Sequence, residues 1–137
     1  MKTIFISAFG LAVVAASSAY AAESSVVDHH VASMKAGDLA AVMADYAPDA
    51  VVVTPEGTFS SSGVFVGADV RKVFAILTSK DNAAAVKSMQ SRFDHPGSGV
   101  TVMHWVQFKG TPKQVSGHDV FVVRRGKIEY QSINIDK

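Results

Sequence analysis

Residues 117–136 read GHDVFVVRRGKIEYQSINID. Two runs rich in Val, Ile, Phe and Tyr flank Arg124-Arg125-Gly126, the pattern of a strand, a tight turn and a returning strand. Side chains alternate along a strand, so Asp119, Phe121 and Val123 share one face while His118, Val120 and Val122 share the other. With Phe121 and Val123 facing a core, Asp119 points inward and His118 points away. A carboxylate among apolar neighbours is costly unless it is paired or protonated. Asp119, rather than the histidine beside it, is therefore the candidate site residue.

Strand patterns extend upstream from this hairpin. AVKSMQSRF, VTVMHWVQF and QVSGHDVFVV read as strands separated by HPGSG and KGTPK, and DAVVVTPEG reads as a strand running to Thr54. SSSGVFVG is a loop leading into a short strand. Helical spacing is confined to the first half. Val27, His30, Val31 and Met34 form one stripe that Gly37 ends, and a second helix follows Asp38 as N-cap, with Leu39, Val42, Met43 and Tyr46 apolar and Pro48 as its stop. A third carries Val70, Val73, Phe74 and Leu77 on one face. Helices followed by long antiparallel hairpins predict an α+β domain, with a curved sheet lying across helices on one side.

The chain has 137 residues, 48% of them apolar and 18% charged, enough for one domain with a sizeable core. MKTIFISAFGLAVVAASSAYAAES has Lys2, an apolar run from Ile4 to Ala16, and Ala19 and Ala21 around Tyr20. That is the pattern of a secretory signal peptide over residues 1–22, cut after Ala21 or Ala22, leaving a domain over residues 23–137 in the periplasm or outside the cell. The apolar run is shorter than the ~20 residues of a spanning helix, so no membrane association is expected after processing. Without Lys2, the 13 basic residues fall level with the 12 acidic ones, and a neutral domain with no basic run offers no footprint for nucleic acid. There is no cysteine, so neither disulfides nor thiol chemistry operate.

The phrases AGDLAAVMADYAPDAVVVTPEG, FVGADVRKVF and HDVFVVRRGKIEYQSIN resemble the SnoaL-like branch of the nuclear transport factor 2 superfamily, over nearly the whole processed chain. The resemblance implies a cystatin-like cone, a strongly curved, mixed but mainly antiparallel sheet wrapped around N-terminal helices, with an apolar pocket at its wide end. Polyketide cyclases, ketosteroid isomerase and limonene-epoxide hydrolase share this fold with non-enzymatic binding modules, so the fold alone leaves function open. Matched to the isomerase, Asp119 falls at its oxyanion-stabilising aspartic acid, His30 at its oxyanion tyrosine and Thr54 at its aspartate general base. The hairpin turn here is one residue shorter. Threonine does not abstract protons at neutral pH, which argues against isomerase chemistry.

Alternation groups Val102, His104, Val106 and Phe108 on one face, and these are expected to point into the cone. His104 with Asp119 then forms a polarised dyad able to move a proton to or from a bound carbonyl compound, the catalytic pair if the protein is an enzyme. SnoaL-like cyclases are similar in using an aspartate on this strand as acid/base. The expected pocket takes His30, Met34, Tyr46, Thr54 and Phe74 from the first half of the chain. From the second half it takes Val102, Val106, Phe121, Gln131 and Ile133. Adjacent His29 and His30 diverge by ~100° on a helix and do not share an ion, and no H-x-x-x-H spacing supports a metal. No metal or other cofactor is expected. Trp105, with Met103 and Gln107, alternates to the outer face, where the family resemblance implies a homodimer contact.

Three functions fit these residues. A non-catalytic carrier of a small, largely apolar molecule is slightly favoured, because Thr54 replaces the base. An isomerase, cyclase or hydrolase-type enzyme using Asp119 as acid/base is the alternative, and a dimeric interaction module with a vestigial pocket is the third.

Overall fold

The computed structural model describes residues 10–136. Residues 1–9 of the expected leader lie outside the described residues. Helix α1, Gly10–Ala36, passes through the expected cleavage site. Its inward stripe, Val27, His30 and Val31, is buried as the spacing predicts, and Ser33 is buried with it. No helix among the described residues is long and apolar enough to cross a membrane.

The exit from α1 is set by Gly37, whose φ of 72° is in the left-handed region that glycine enters without a Cβ penalty. Gly37 N donates to Met34 O at 3.0 Å and Asp38 N to Ser33 O at 3.0 Å, which satisfies two carbonyls of the last turn. Asp38 then caps α2, Leu39–Ala44, its carboxylate accepting from Ala41 N at 3.0 Å. Tyr46, expected at the end of this helix, instead opens strand β1, Tyr46–Val53. Pro48 disfavours helix in the residue before it, and Tyr46 pairs alongside Ile128. Pro48 itself sits in the irregular stretch of β1 between Tyr46 and Val51, where a missing N–H is tolerated.

Strand β2, Val64–Val66, leads through a single 3-10 turn, Gly67–Asp69, into α3, Val70–Leu77, which buries Val70, Val73 and Phe74. The stretch read as one strand, AVKSMQSRF, is divided. Ala83–Ser88 is a helix, α4, and β3 spans Gln90–Gly97. The alanine-rich AAAVKS favours helix, and only Val86 and Met89 need burial, which one helical turn supplies. The remaining strands are β4, Val100–Gln107, β5, Val115–Arg124, and β6, Lys127–Ile135.

The strands form one curved, open sheet in the order β2-β1-β6-β5-β4-β3. β1 runs parallel to β6, and the other pairings are antiparallel. The core lies between the sheet's inner face and the helices, with Val27 and Val31 of α1 and Val73 and Phe74 of α3 packed toward Val52, Phe121, Val123 and Ile128. A β-bulge changes the facing of β6 partway along its length. Val122 pairs with Tyr130 but Val123 with Ile128, so Glu129 is an extra residue in β6. Both Ile128 and Gln131 are buried as a result, a spacing that strict alternation forbids.

Phe121 is fully enclosed, and Val122 beside it faces outward and is only half-buried. Phe121→Ala should destabilise by ~3–5 kcal/mol and Val122→Ala by ~1 kcal/mol or less in urea unfolding. Equal losses would refute the assignment of the two faces.

Candidate functional site

The inner faces of β4, β5 and β6, with α1, α3 and α4, enclose a cavity of about 150 Å³. Met34, Leu77, Met89, Met103 and Ile133 make most of its wall apolar, and Phe59 approaches from the loop between β1 and β2. Asp119 is the one ionisable side chain lining it among the described residues.

Asp119 is 5% exposed. Its Oδ1 accepts from Trp105 Nε1 at 2.8 Å and its Oδ2 from Gln131 Nε2 at 2.8 Å. Gln131 Oε1 in turn accepts from the Tyr46 hydroxyl. Burial raises the Asp119 carboxyl to about 7, against the opposing effects of the two donated hydrogen bonds and of His118 nearby. Burial, then the charge of Asp119 and of Asp45, raises the Tyr46 phenol well above its usual range, so it stays a neutral donor.

The structure overturns the expected place of His104. Met103 is the cross-strand partner of Asp119 and His104 that of His118, so His104 lies on the outer face. There it meets Asp94 at 3.0 Å, while His118 meets Asp136 at 3.1 Å. Val102 and Val106 are on the outer face with it, and neither enters the cavity. Trp105, expected outside, faces in and reaches Asp119. Alternation states which residues share a face but not which face is inside, and β4 carries bulky apolar residues on both.

The remaining expected residues divide. Met34, Phe74, Gln131 and Ile133 line the cavity, whereas Phe121 is core behind it. Tyr46 stands one hydrogen bond removed, through Gln131. Thr54 is buried at the end of β1, its hydroxyl donating to Gly63 O and Pro55 O at 3.4 Å, away from the cavity. His30 is enclosed by the rings of Tyr46, Phe74 and Phe121, with centroids 5.3–5.6 Å away and its Nδ1 without a partner. Burial, with a smaller effect of His29, lowers its imidazole to about 3 and holds it neutral. His29, on the other side of the helix, bonds both Asp45 oxygens at 2.9 Å and ties α1 to the start of β1. Among the described residues, no group of three His, Cys, Asp or Glu is placed to hold a metal ion.

Trp105 escapes a reading by alternation, yet a signal for it exists in the quoted hairpin. Gly117, directly across from Trp105, is a glycine inside a strand, which marks a close approach by another group. A Cβ there would stand 2.3 Å from the indole ring and 2.1 Å from Asn134 O. The bare backbone at Gly117 lets the indole lie across β5 and turn its N–H to Asp119.

A curved, open sheet over helices, with a cavity at its inner face, defines the nuclear transport factor 2-like α+β class. The SnoaL-like domain model matches residues 27–131, and the chain belongs to that family. Among solved structures, a protein of unknown function from Burkholderia xenovorans LB400, described as NTF-2 like, is 16% identical with a TM-score of 0.65, covering 86% of this chain and 85% of that one. A cystatin-like protein of unknown function from Methylobium petroleophilum PM1 is 20% identical with a TM-score of 0.60, at 85% and 77% coverage. TerC, co-crystallised with polyporic acid, is 17% identical with a TM-score of 0.63, at 84% and 92% coverage. The structural likeness, at identities of 20% or below, shows a shared fold and nothing further. No curated protein matches the chain significantly.

The two buried titratable groups give opposite pH dependences. Asp119 has a raised carboxyl, so the unfolded chain releases its proton first, and stability falls as pH rises from about 3.8 to about 7, by up to ~4 kcal/mol. His30 has a lowered imidazole, so the unfolded chain binds a proton first, and stability falls as pH drops from about 6.5 toward about 3. Asp119→Asn should remove the first slope and expose the second, giving a melting temperature that rises steadily from about pH 4 to about pH 6.5. It should also be less stable than the parent at about pH 4, where its amide N–H₂ meets another donor. Parallel melting curves for parent and variant across this range would refute the burial of a titrating Asp119.

Proposed function

We propose that the protein is an exported binding protein for a small, largely apolar molecule, which occupies the cavity and bonds its polar group to Asp119. The single observation that carries this is the composition of the wall, apolar apart from a few polar groups and with one ionisable group, the usual make-up of a site that buries a ligand's body and orients it by one contact. Co-crystallisation of TerC, of the same fold, with polyporic acid supports a small organic occupant. Export rests on the A-x-A leader pattern.

An enzymatic reading is favoured by one observation. A carboxyl at about 7 is suited to give and take protons near neutral pH. No second acid or base joins it in the cavity lining among the described residues, because His104 is outside and Thr54 is not in the cavity. A binding role needs no second group, and for that reason it is preferred.

The family resemblance also leads us to propose a homodimer through the outer face of the sheet. Trp105 is not its centre. The outward residues Val102, Val120, Val122 and Tyr130 form an adjoining apolar patch there.

Native mass spectrometry of protein purified from its own host should show a retained small molecule, reduced or absent in Leu77→Trp, which fills the cavity. An empty parent, or an adduct that survives the substitution, counts against the binding reading. Deuterium exchange into cyclohexanone that is lost in Asp119→Asn would favour the enzyme. Val120→Glu should lower the sedimentation coefficient from dimer to monomer while leaving the circular dichroism unchanged, and a monomeric parent would rule the dimer out.

A further inference from the structure

Among the described residues, Asp119 is approached only by hydrogen-bond donors, and one residue outside the cavity decides this. Trp105 Nε1 has a proton and no lone pair to offer. Gln131 has an amide with a donor end and an acceptor end, and which end meets Asp119 is settled on its far side. There Oε1 accepts from the Tyr46 hydroxyl, which leaves Nε2 for Asp119; with the amide turned over, the hydroxyl would accept from Nε2 and its own proton would have no acceptor among the described residues. Tyr46 and Gln131 are 6% and 1% exposed, so water does not compete for these bonds. The four side chains come from β1, β6, β5 and β4, neighbours in the sheet in that order.

A proton on Asp119 consequently finds no acceptor in either partner. It is directed at the cavity that Asp119 lines. We propose that Tyr46, acting through Gln131, is a positioning residue that makes the hydrogen-bonding sense of Asp119 toward the cavity invert with its protonation. Ionised, Asp119 accepts, and the cavity takes a molecule bearing a hydroxyl or amine. Neutral, it donates outward, and the cavity takes a molecule bearing a carbonyl or ether oxygen.

Without the Tyr46 hydroxyl, the amide is free to rotate by half a turn. Oε1 then faces Asp119, accepts the proton of the neutral acid and repels the carboxylate. The other titratable groups nearby leave this comparison unchanged. His118 is the chain neighbour of Asp119 on the opposite face, bonded to Asp136. His30, from α1, packs on Tyr46 and Phe121 and stays neutral.

Trp105 is the chain's one tryptophan, and its N–H bonds Asp119, so its emission and indole ¹H–¹⁵N shift report the carboxyl directly. In the parent protein without ligand, the midpoint is expected near 7. Tyr46→Phe should raise it by about one pH unit or more. Gln131→Leu, which removes a donor, should raise it too, and Tyr46→Phe should add nothing in that background. An unshifted midpoint in Tyr46→Phe, or a shift that persists undiminished in Gln131→Leu, overturns the proposal. Should Tyr46→Phe fail to fold, the parent decides the matter. Its Gln131 amide resonances should move through the Trp105 midpoint without rotating, and an amide that turns over on titration overturns it.

The ligand consequence rests on the cavity being the binding site, and the titration without ligand does not. Cyclohexanone, an acceptor only, should bind the parent about tenfold more tightly at ~pH 6 than at ~pH 8, and phenol should show the reverse preference. In Tyr46→Phe the cyclohexanone preference should shrink. A shifted midpoint with neither probe bound at any pH would uphold the role of Tyr46 and refute the binding reading.

Discussion

A carboxylate inside an apolar cavity must have donors brought to it, and the arrangement of four strands around Asp119 meets that demand. Left alone, the ionised group would cost several kcal/mol. Two donated hydrogen bonds, from Trp105 on one side and Gln131 on the other, offset much of this without cancelling it. The remainder is expressed as a carboxyl raised to about 7. Had an arginine or lysine been the partner, the carboxyl would have been held low and permanently charged. Neutral donors leave it poised to change state.

Bringing those donors in requires two local irregularities. The extra residue Glu129 turns β6 over, so that Gln131 and Ile133 face inward after Ile128 has already done so. Gly117 opens the space for the Trp105 ring on β5. Neither feature strengthens the sheet as such. A bulge disrupts the ladder locally, and glycine is a poor strand former. Both are explained by the geometry at Asp119.

The outer face has the opposite character. His104 and His118 lie across from each other with Asp94 and Asp136 as partners, all substantially exposed, and exposed ion pairs of this kind contribute little to stability. They account for the histidine at the head of the hairpin, a polar residue on the solvent side of a strand. His30 is different again, a neutral imidazole packed edge-on among three rings and outside the cavity lining.

Much of the architecture is legible in the sequence. Local rules place the stop at Gly37, the cap at Asp38, the stripe through Val27 and Val31, and the inward turn of Asp119, because each depends on neighbours within a few residues. Tyr46 and the stretch 83–88 depart from those rules where two local preferences compete and pairing decides between them. The site is legible at Asp119 and, in outline, at Met34, Phe74, Gln131 and Ile133, but not in the contacts of Asp119. Its partners come from other strands, and the residues of β4 alternate between two faces that are both apolar, so that nothing within the strand tells His104 from Trp105. The cross-strand register of Met103 with Asp119 makes that choice, and the bulge at Glu129 makes the corresponding choice for Gln131. Sequence patterns fix periodicity along a chain, whereas the facing of one strand against another is settled by which pairing buries the apolar surface and satisfies the buried carboxylate together.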